Sequence, residues 1–375
     1  MHGDFTALIG HRLQQMRFLT ILIVMSLALG VPFPAKAASA DDQEIRIGQE
    51  YARRLEAQYK LVTDRAVVDR VARIGQEVAL VSDRPGLPYV FKVIDLDVPN
   101  ALALPGGFVY VTKAMLSFVR SDHELAAVLA HEIAHTGHRH QMAMIHRSNQ
   151  AAFFTILVAV LTRDANIARG AQVVSAGMLS GYTRDMEREA DLTSIAYLVK
   201  TDHTPVAALT VMERLRREER FRPQVDPGAF RDHPRTEERV AYIEAELRRR
   251  GILLIRRVAA NYLRIATRTV TEHNRQVGEL LVNDTIVLRL PDPARIAAVA
   301  VRLDRFFNTD PQPYDVSARE VEGGWGIFGG LVLLLTVTPT DAVFLGGTPT
   351  PTALTIQARL RWVIDQDLRM RRFNG

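Results

Sequence analysis

Residues 121–135, SDHELAAVLAHEIAH, decide the fold of the first half of the chain. The opening serine and the glutamate three residues later form a capping box, which predicts a helix start ahead of an apolar run. His131 and His135 stand four residues apart in that helix, so both imidazoles lie on one face and can reach one metal ion. Glu132 can take a proton from a water molecule held there. The stretch therefore predicts a helix that carries a metal-dependent hydrolase site.

A zinc hydrolase site needs a third protein ligand. His138, His140 and His146 follow the motif, but a continuing helix would turn them away, so we expect them on the surface or around the ligands. Glu187 and Asp191 are four residues apart on one helix face. One can bind the metal while the other accepts a hydrogen bond from a ligating imidazole. A solvated helix face with Glu–Arg pairs is the alternative interpretation of this acidic run.

The composition limits the chemistry of the site. The 375 residues include no cysteine, which excludes disulfides, a thiolate nucleophile, an iron–sulfur cluster and a thiolate zinc site. Any metal must therefore be held by His, Asp or Glu, and one zinc ion per chain is the expected cofactor. The net charge of +5 comes from arginines spread along the chain, so nucleic acid is not an expected partner.

The first forty residues carry the pattern of a secretory signal peptide. An apolar run at 18–34 follows Arg17 and leads into small residues, with cleavage after Ala37 or Ala40 fitting equally well. Met16 is a second candidate start, and an uncleaved membrane anchor is the alternative interpretation. We expect export to a bacterial periplasm.

The remaining sequence predicts an α+β protein of two domains. Residues 41–255 predict a mostly helical zincin-type metalloprotease domain, with a small β-hairpin or sheet beside the HExxH helix. Residues 256–375 predict a small α+β domain of unknown role. It would begin with a helix at 258–277 and continue with two similar units, each a β-rich run leading into a helix; the second run includes 343–345.

Two apolar stretches, 151–162 and 327–338, are about twelve residues long, short of the ~20 that span a bilayer. Buried core is the expected role of both. A shallow membrane contact through 151–179 is the alternative for the first.

Several motifs together resemble family forty-eight of the metallopeptidases, which includes the CAAX prenyl proteases, HtpX and the mitochondrial OMA protease. The resemblance covers roughly 45–250 and favours the soluble, periplasmic BepA-like branch. Its motifs are His131-Glu132-x-x-His135, Glu187-x-x-Ala190-Asp191, the hairpin from Asn100-Ala101 to Val111, and Asp232-His233-Pro234 with Arg239 five residues beyond the proline.

The resemblance implies that His131, His135 and Glu187 bind zinc, with Glu132 as the general base.

It further implies that Asp191 supports a zinc-ligating histidine and that Arg239 helps orient the segment around His233. His233 itself would stabilise the tetrahedral intermediate or cap the zinc in a resting state.

The expected function is that of a zinc endopeptidase acting on misfolded or stalled envelope proteins. An extended polypeptide substrate would add as a strand along Asn100, Ala101 and Leu102. The resemblance also makes the outer-membrane assembly machinery a candidate partner. The last 120 residues show no tetratricopeptide period, which argues against carrying over partner docking of the BepA kind. The alternative function is a chaperone-like assembly factor with a latent, His233-capped zinc site.

Overall fold

The computed structural model describes most of the chain, over residues 39–148, 150–162, 182–221 and 236–373. The expected signal peptide up to residue 38, His233 and the second half of the segment 151–179 lie outside these ranges. Contacts divide the chain into two units, Met1–Gln43 and Glu44–Gly375, and the candidate site lies in the second. Within the described ranges, no helix has the length and apolar character needed to cross a membrane.

Helices build most of the described residues before 261, as the sequence predicts. In chain order the described helices are α1 (Ala40–Gln58), α2 (Arg65–Ala79), α3 (Lys113–Phe118), α4 (Asp122–Gly137), α5 (His140–Arg147), α6 (Gln150–Thr162), α7 (Arg184–Leu198), α8 (Val206–Phe221), α9 (Thr236–Arg249) and α10 (Arg256–Ala260). The fold is α+β, with a helical domain, a small sheet beside its central helix and a C-terminal sheet region.

The first sheet lies against α4 and has the order β1–β3–β2. Strand β1 (Val90–Ile94) runs parallel to β3 (Phe108–Thr112), and β2 (Ala101–Leu104) pairs antiparallel with β3. The β2–β3 turn requires glycine, because Gly106 has φ 75° and a Cβ there would lie 2.6 Å from the Ile45 Cα. Because β2 comes last in the strand order, it is an edge strand among the described residues, and it lies next to the HExxH helix.

The C-terminal region contains two copies of one unit. Strands β4 (Ile265–Glu272), β5 (Arg275–Val282) and β6 (Thr285–Leu290) form an antiparallel sheet followed by α11 (Pro293–Phe307). Strands β7 (Val316–Val321), β8 (Gly324–Gly329) and β9 (Val332–Val337) form the second sheet, followed by α12 (Pro339–Phe344) and α13 (Pro349–Phe373). The register shifts at matching positions, between Leu280 and Leu281 and between Ile327 and Phe328.

Two predicted elements of this region are wrong. The helix expected at 258–277 stops at Ala260, because Asn261 and Leu263 take left-handed φ values of 54° and 48°, and strand β4 follows. The strand expected at 343–345 lies in helix α12 and its C-cap instead. Thr338 and Asp341 form a reciprocal capping box that starts this helix.

The start of α4 is fixed by a buried ion pair as well as by its cap. Ser121 Oγ accepts the Glu124 N–H at 3.0 Å, as predicted, but the Glu124 carboxylate does not close the box. It is fully buried and accepts two hydrogen bonds from Arg214 on α8, at 2.6 and 2.7 Å. This pair fixes the entry of the HExxH helix against α8.

Removing the Arg214 charge should strongly destabilise the protein, because Glu124 would then be a buried carboxylate without its cation. We expect Arg214→Met to cost about 3–5 kcal/mol of unfolding free energy in urea denaturation. The matched control is Arg73→Met, since Arg73 is 54% exposed and pairs with exposed carboxylates. That change should cost less than about 1 kcal/mol. Equal effects of the two substitutions would contradict the assignment.

Candidate metal centre

Two helices bring three potential metal ligands together. His131 and His135 lie on α4, and Glu187 lies in the first turn of α7, which begins where Thr183 Oγ1 accepts the Met186 N–H. The two Nε2 atoms are 3.1 Å apart, and the Glu187 oxygens lie 3.6 Å from His131 Nε2 and 3.8 Å from His135 Nε2. In the described part of the chain, this is the group of side chains whose donor atoms could hold a metal ion.

The donor set fits zinc. Tetrahedral zinc with ligand distances of about 2.0–2.2 Å places its donor atoms roughly 3.3–3.6 Å apart, close to the separations found here. His135 is 1% exposed, and burial, reinforced by the neighbouring His131 and His140, lowers its pKa well below the ordinary value. A neutral imidazole is the form that binds a metal.

Glu132 is placed to act as a base beside these ligands. Its side chain is buried, and the backbone N–H of Ala103 on the edge strand β2 forms a hydrogen bond to its carboxylate. Burial, reinforced by the nearby Glu187 charge, raises its pKa to about 7, despite the opposing effect of His131. A carboxylate with this pKa accepts and releases protons near neutral pH.

A buried network behind the metal ligands is built on Asp191. Its carboxylate lies 3.0 Å from His131 Nδ1 and accepts hydrogen bonds from Arg239 Nε at 2.9 Å, Arg239 Nη2 at 2.8 Å and the Tyr242 hydroxyl. Burial alone would raise the pKa of Asp191, but Arg239 and His131 together lower it. Arg239 Nη1 also lies 3.1 Å from Glu187 Oε2, so one guanidinium contacts both acidic residues.

The structure places two further residues against His135. The ring of Tyr182 stacks on His135 with 3.8 Å between centroids and 16° between planes. His140 is buried, with its Nδ1 2.8 Å from His135 Nδ1, so of the two positions expected for it the structure shows the one around the candidate ligands. Continuing α4 past His135 cannot predict this contact, because the helix ends at Gly137.

The predicted substrate strand lies next to the base. Ala101 and Leu102 belong to β2, and Asn100 directly precedes it, with its backbone N–H bonded to Thr112 Oγ1 at 2.9 Å. The contact between Glu132 and Ala103 connects this strand to α4. His233 lies outside the described residues, so its position relative to the ligands stays a prediction.

The comparison with known proteins agrees with this geometry. Residues 66–247 match peptidase family M48. This part of the chain belongs to that family. It is a metallopeptidase family, and the matched residues include all three candidate ligands and the Asp191–Arg239 network.

Curated relatives share this region. The chain is 27% identical over 248 residues to the beta-barrel assembly-enhancing protease of Escherichia coli K12, covering 60% of this chain and 50% of that protein. It is 27% identical to the protein of the same name in Yersinia pestis, over 55% of this chain and 44% of that protein. It is 32% identical to the mitochondrial metalloendopeptidase OMA1 of Schizosaccharomyces pombe, over 39% of this chain and 43% of that protein. The chain thus spans about half the length of these relatives or less.

The raised pKa of Glu132 predicts that the metal-free protein loses unfolding free energy as the pH rises. A carboxyl whose folded pKa is about 7 against 4.5 in the unfolded chain favours folding at low pH, and that contribution is lost as pH rises through this window. Glu132→Gln should therefore stabilise the metal-free protein above pH 7, by about 3 kcal/mol, and change little at pH 4.5. Urea denaturation at both pH values measures this difference. A stability change that is the same at both would contradict the assignment.

Proposed function

We propose that the chain is a zinc-dependent endopeptidase of the periplasm that cleaves misfolded or stalled cell-envelope proteins. The observation that carries the proposal is the convergence of His131, His135 and Glu187 with the buried Glu132 carboxylate beside an edge strand. The signal-like pattern of the first forty residues and the assembly-enhancing proteases among its relatives support the envelope as the location.

The distances between donor atoms support the proposed ligand assignments. His131 and His135 would hold the metal through Nε2 and Glu187 through a carboxylate oxygen. Bound zinc supplies Lewis-acid chemistry, polarising a carbonyl and making water acidic near neutral pH. Asp191 keeps the proton of His131 on Nδ1, which leaves Nε2 free to bind the metal.

Glu132 would transfer the proton, and β2 would bind the substrate. Glu132 accepts the proton of the attacking water and passes it to the leaving amine. An extended substrate would pair with β2 along Asn100 to Leu102 through backbone hydrogen bonds, which recognise many sequences equally well. Because the same strand contacts Glu132 through Ala103, the base and the scissile peptide would be positioned by one element.

Replacing the base should abolish cleavage without removing the metal. We expect Glu132→Gln to lower the cleavage rate of an unfolded protein substrate by at least about 100-fold, because no carboxylate would accept the proton from water. Zinc content, measured on the same samples, should stay at the wild-type value. The control is Glu50→Gln on the exposed face of α1, which should cleave normally. Wild-type turnover in Glu132→Gln would refute the mechanism.

The cleavage rate of a second variant, His233→Ala, distinguishes an endopeptidase from a chaperone-like factor with a latent site. If His233 stabilises the developing oxyanion, His233→Ala should cleave the same substrate about 100-fold more slowly, since one such contact contributes roughly that much. Faster cleavage by the variant would instead favour a His233-capped resting state and the chaperone-like alternative.

A further inference from the structure

We propose that His140 is a positioning residue for the metal ligand His135 and that Glu189 in turn orients His140. His140 is 3% exposed, its Nδ1 lies 2.8 Å from His135 Nδ1, and its Nε2 lies 3.1 Å from Glu189 Oε2. The three side chains form a line that leads from the metal site to a half-exposed carboxylate. The inference rests on the proposed use of His135 as a metal ligand.

The backbone places His140 there by reversing direction after the motif. Helix α4 ends at Gly137, and Arg139 takes a left-handed conformation with φ 57°. Helix α5 then begins at His140, so this side chain points back at the last turn of α4. A side chain five residues on in an unbroken helix would lie on a different face from His135.

The protonation pattern along this line is determined by its first member. Binding a metal through Nε2 leaves the proton of His135 on Nδ1, which must find an acceptor. The facing atom is His140 Nδ1, so His140 accepts there and carries its own proton on Nε2. That nitrogen faces the Glu189 carboxylate, which accepts. Every donor in the line faces an acceptor, and no group has to change its charge.

The two histidine ligands are therefore held differently. His131 faces the buried Asp191 carboxylate at 3.0 Å, whereas His135 lies between the Tyr182 ring and the His140 imidazole. Stacking alone lets an imidazole slide within its plane, but the bond to His140 fixes the direction in which His135 Nε2 points. Partners of this kind typically change metal affinity by about 10- to 100-fold.

The test is the zinc dissociation constant of the full chain, measured by competition with a chelator. We expect His140→Ala to weaken zinc binding by about 10- to 100-fold. The matched control is His138→Ala. The His138 ring lies 5.5 Å from that of His140, and its Nδ1 lies 3.4 Å from Glu189 Oε1. Its Nε2 bonds to Thr193 Oγ1 and not to His135, so this variant should bind zinc like the wild type. Wild-type affinity in His140→Ala would overturn the inference and leave the proposed function intact.

Two conservative variants distinguish positioning from mere packing. His140→Asn keeps an acceptor near the position of Nδ1, whereas His140→Gln places its amide near Nε2. We expect the asparagine variant to bind zinc more tightly than the glutamine variant and to keep the absorption bands of the cobalt-substituted wild type. Equal affinities and spectra would overturn the inference, even if His140→Ala fails to fold. A wild-type chain that binds no zinc would overturn the proposed function and this inference together.

Discussion

The buried carboxylate of Asp191 joins the three helices that build the candidate site. It belongs to α7, contacts His131 on α4 and accepts hydrogen bonds from Arg239 and Tyr242 on α9. A buried anion is stable only where cations and donors surround it, so its position fixes the distances between these helices. The same guanidinium reaches Glu187, which brings the third ligand into the arrangement.

This network makes the electrostatics of the site asymmetric. Asp191 supports protonation of His131 on Nδ1, and burial among other imidazoles keeps His135 neutral. Burial and the nearby Glu187 together raise the pKa of Glu132 to about 7, although His131 and Arg239 act in the opposite direction. Groups with strongly shifted pKa values are common at functional sites, where the shift suits the group to its chemical role. The candidate site therefore combines a preformed group of possible metal ligands with a carboxyl group whose pKa suits proton transfer near neutral pH.

Much of this arrangement follows from local sequence rules. The helix carrying His131 and His135 and the pairing of Glu187 with Asp191 need only helical periodicity, while the family resemblance supplied the choice between the two acids. The contact between His140 and His135 depends on the left-handed backbone conformation of Arg139. Arginine rarely takes this conformation, so the sequence does not predict the turn. The helix expected at 258–277 was wrong, although the sequence itself favours a strand there, because residues 267–271 are rich in β-branched side chains.

We propose that His131, His135 and Glu187 together hold one catalytic zinc ion. Metal content of the purified chain, measured by mass spectrometry beside Glu187→Ala, tests it most directly. We expect about one zinc per chain in the wild type and its loss in the variant, because two imidazoles alone hold zinc weakly. Zinc retained fully in Glu187→Ala would contradict the ligand set, and no zinc in the wild type after reconstitution would contradict the metallopeptidase site itself.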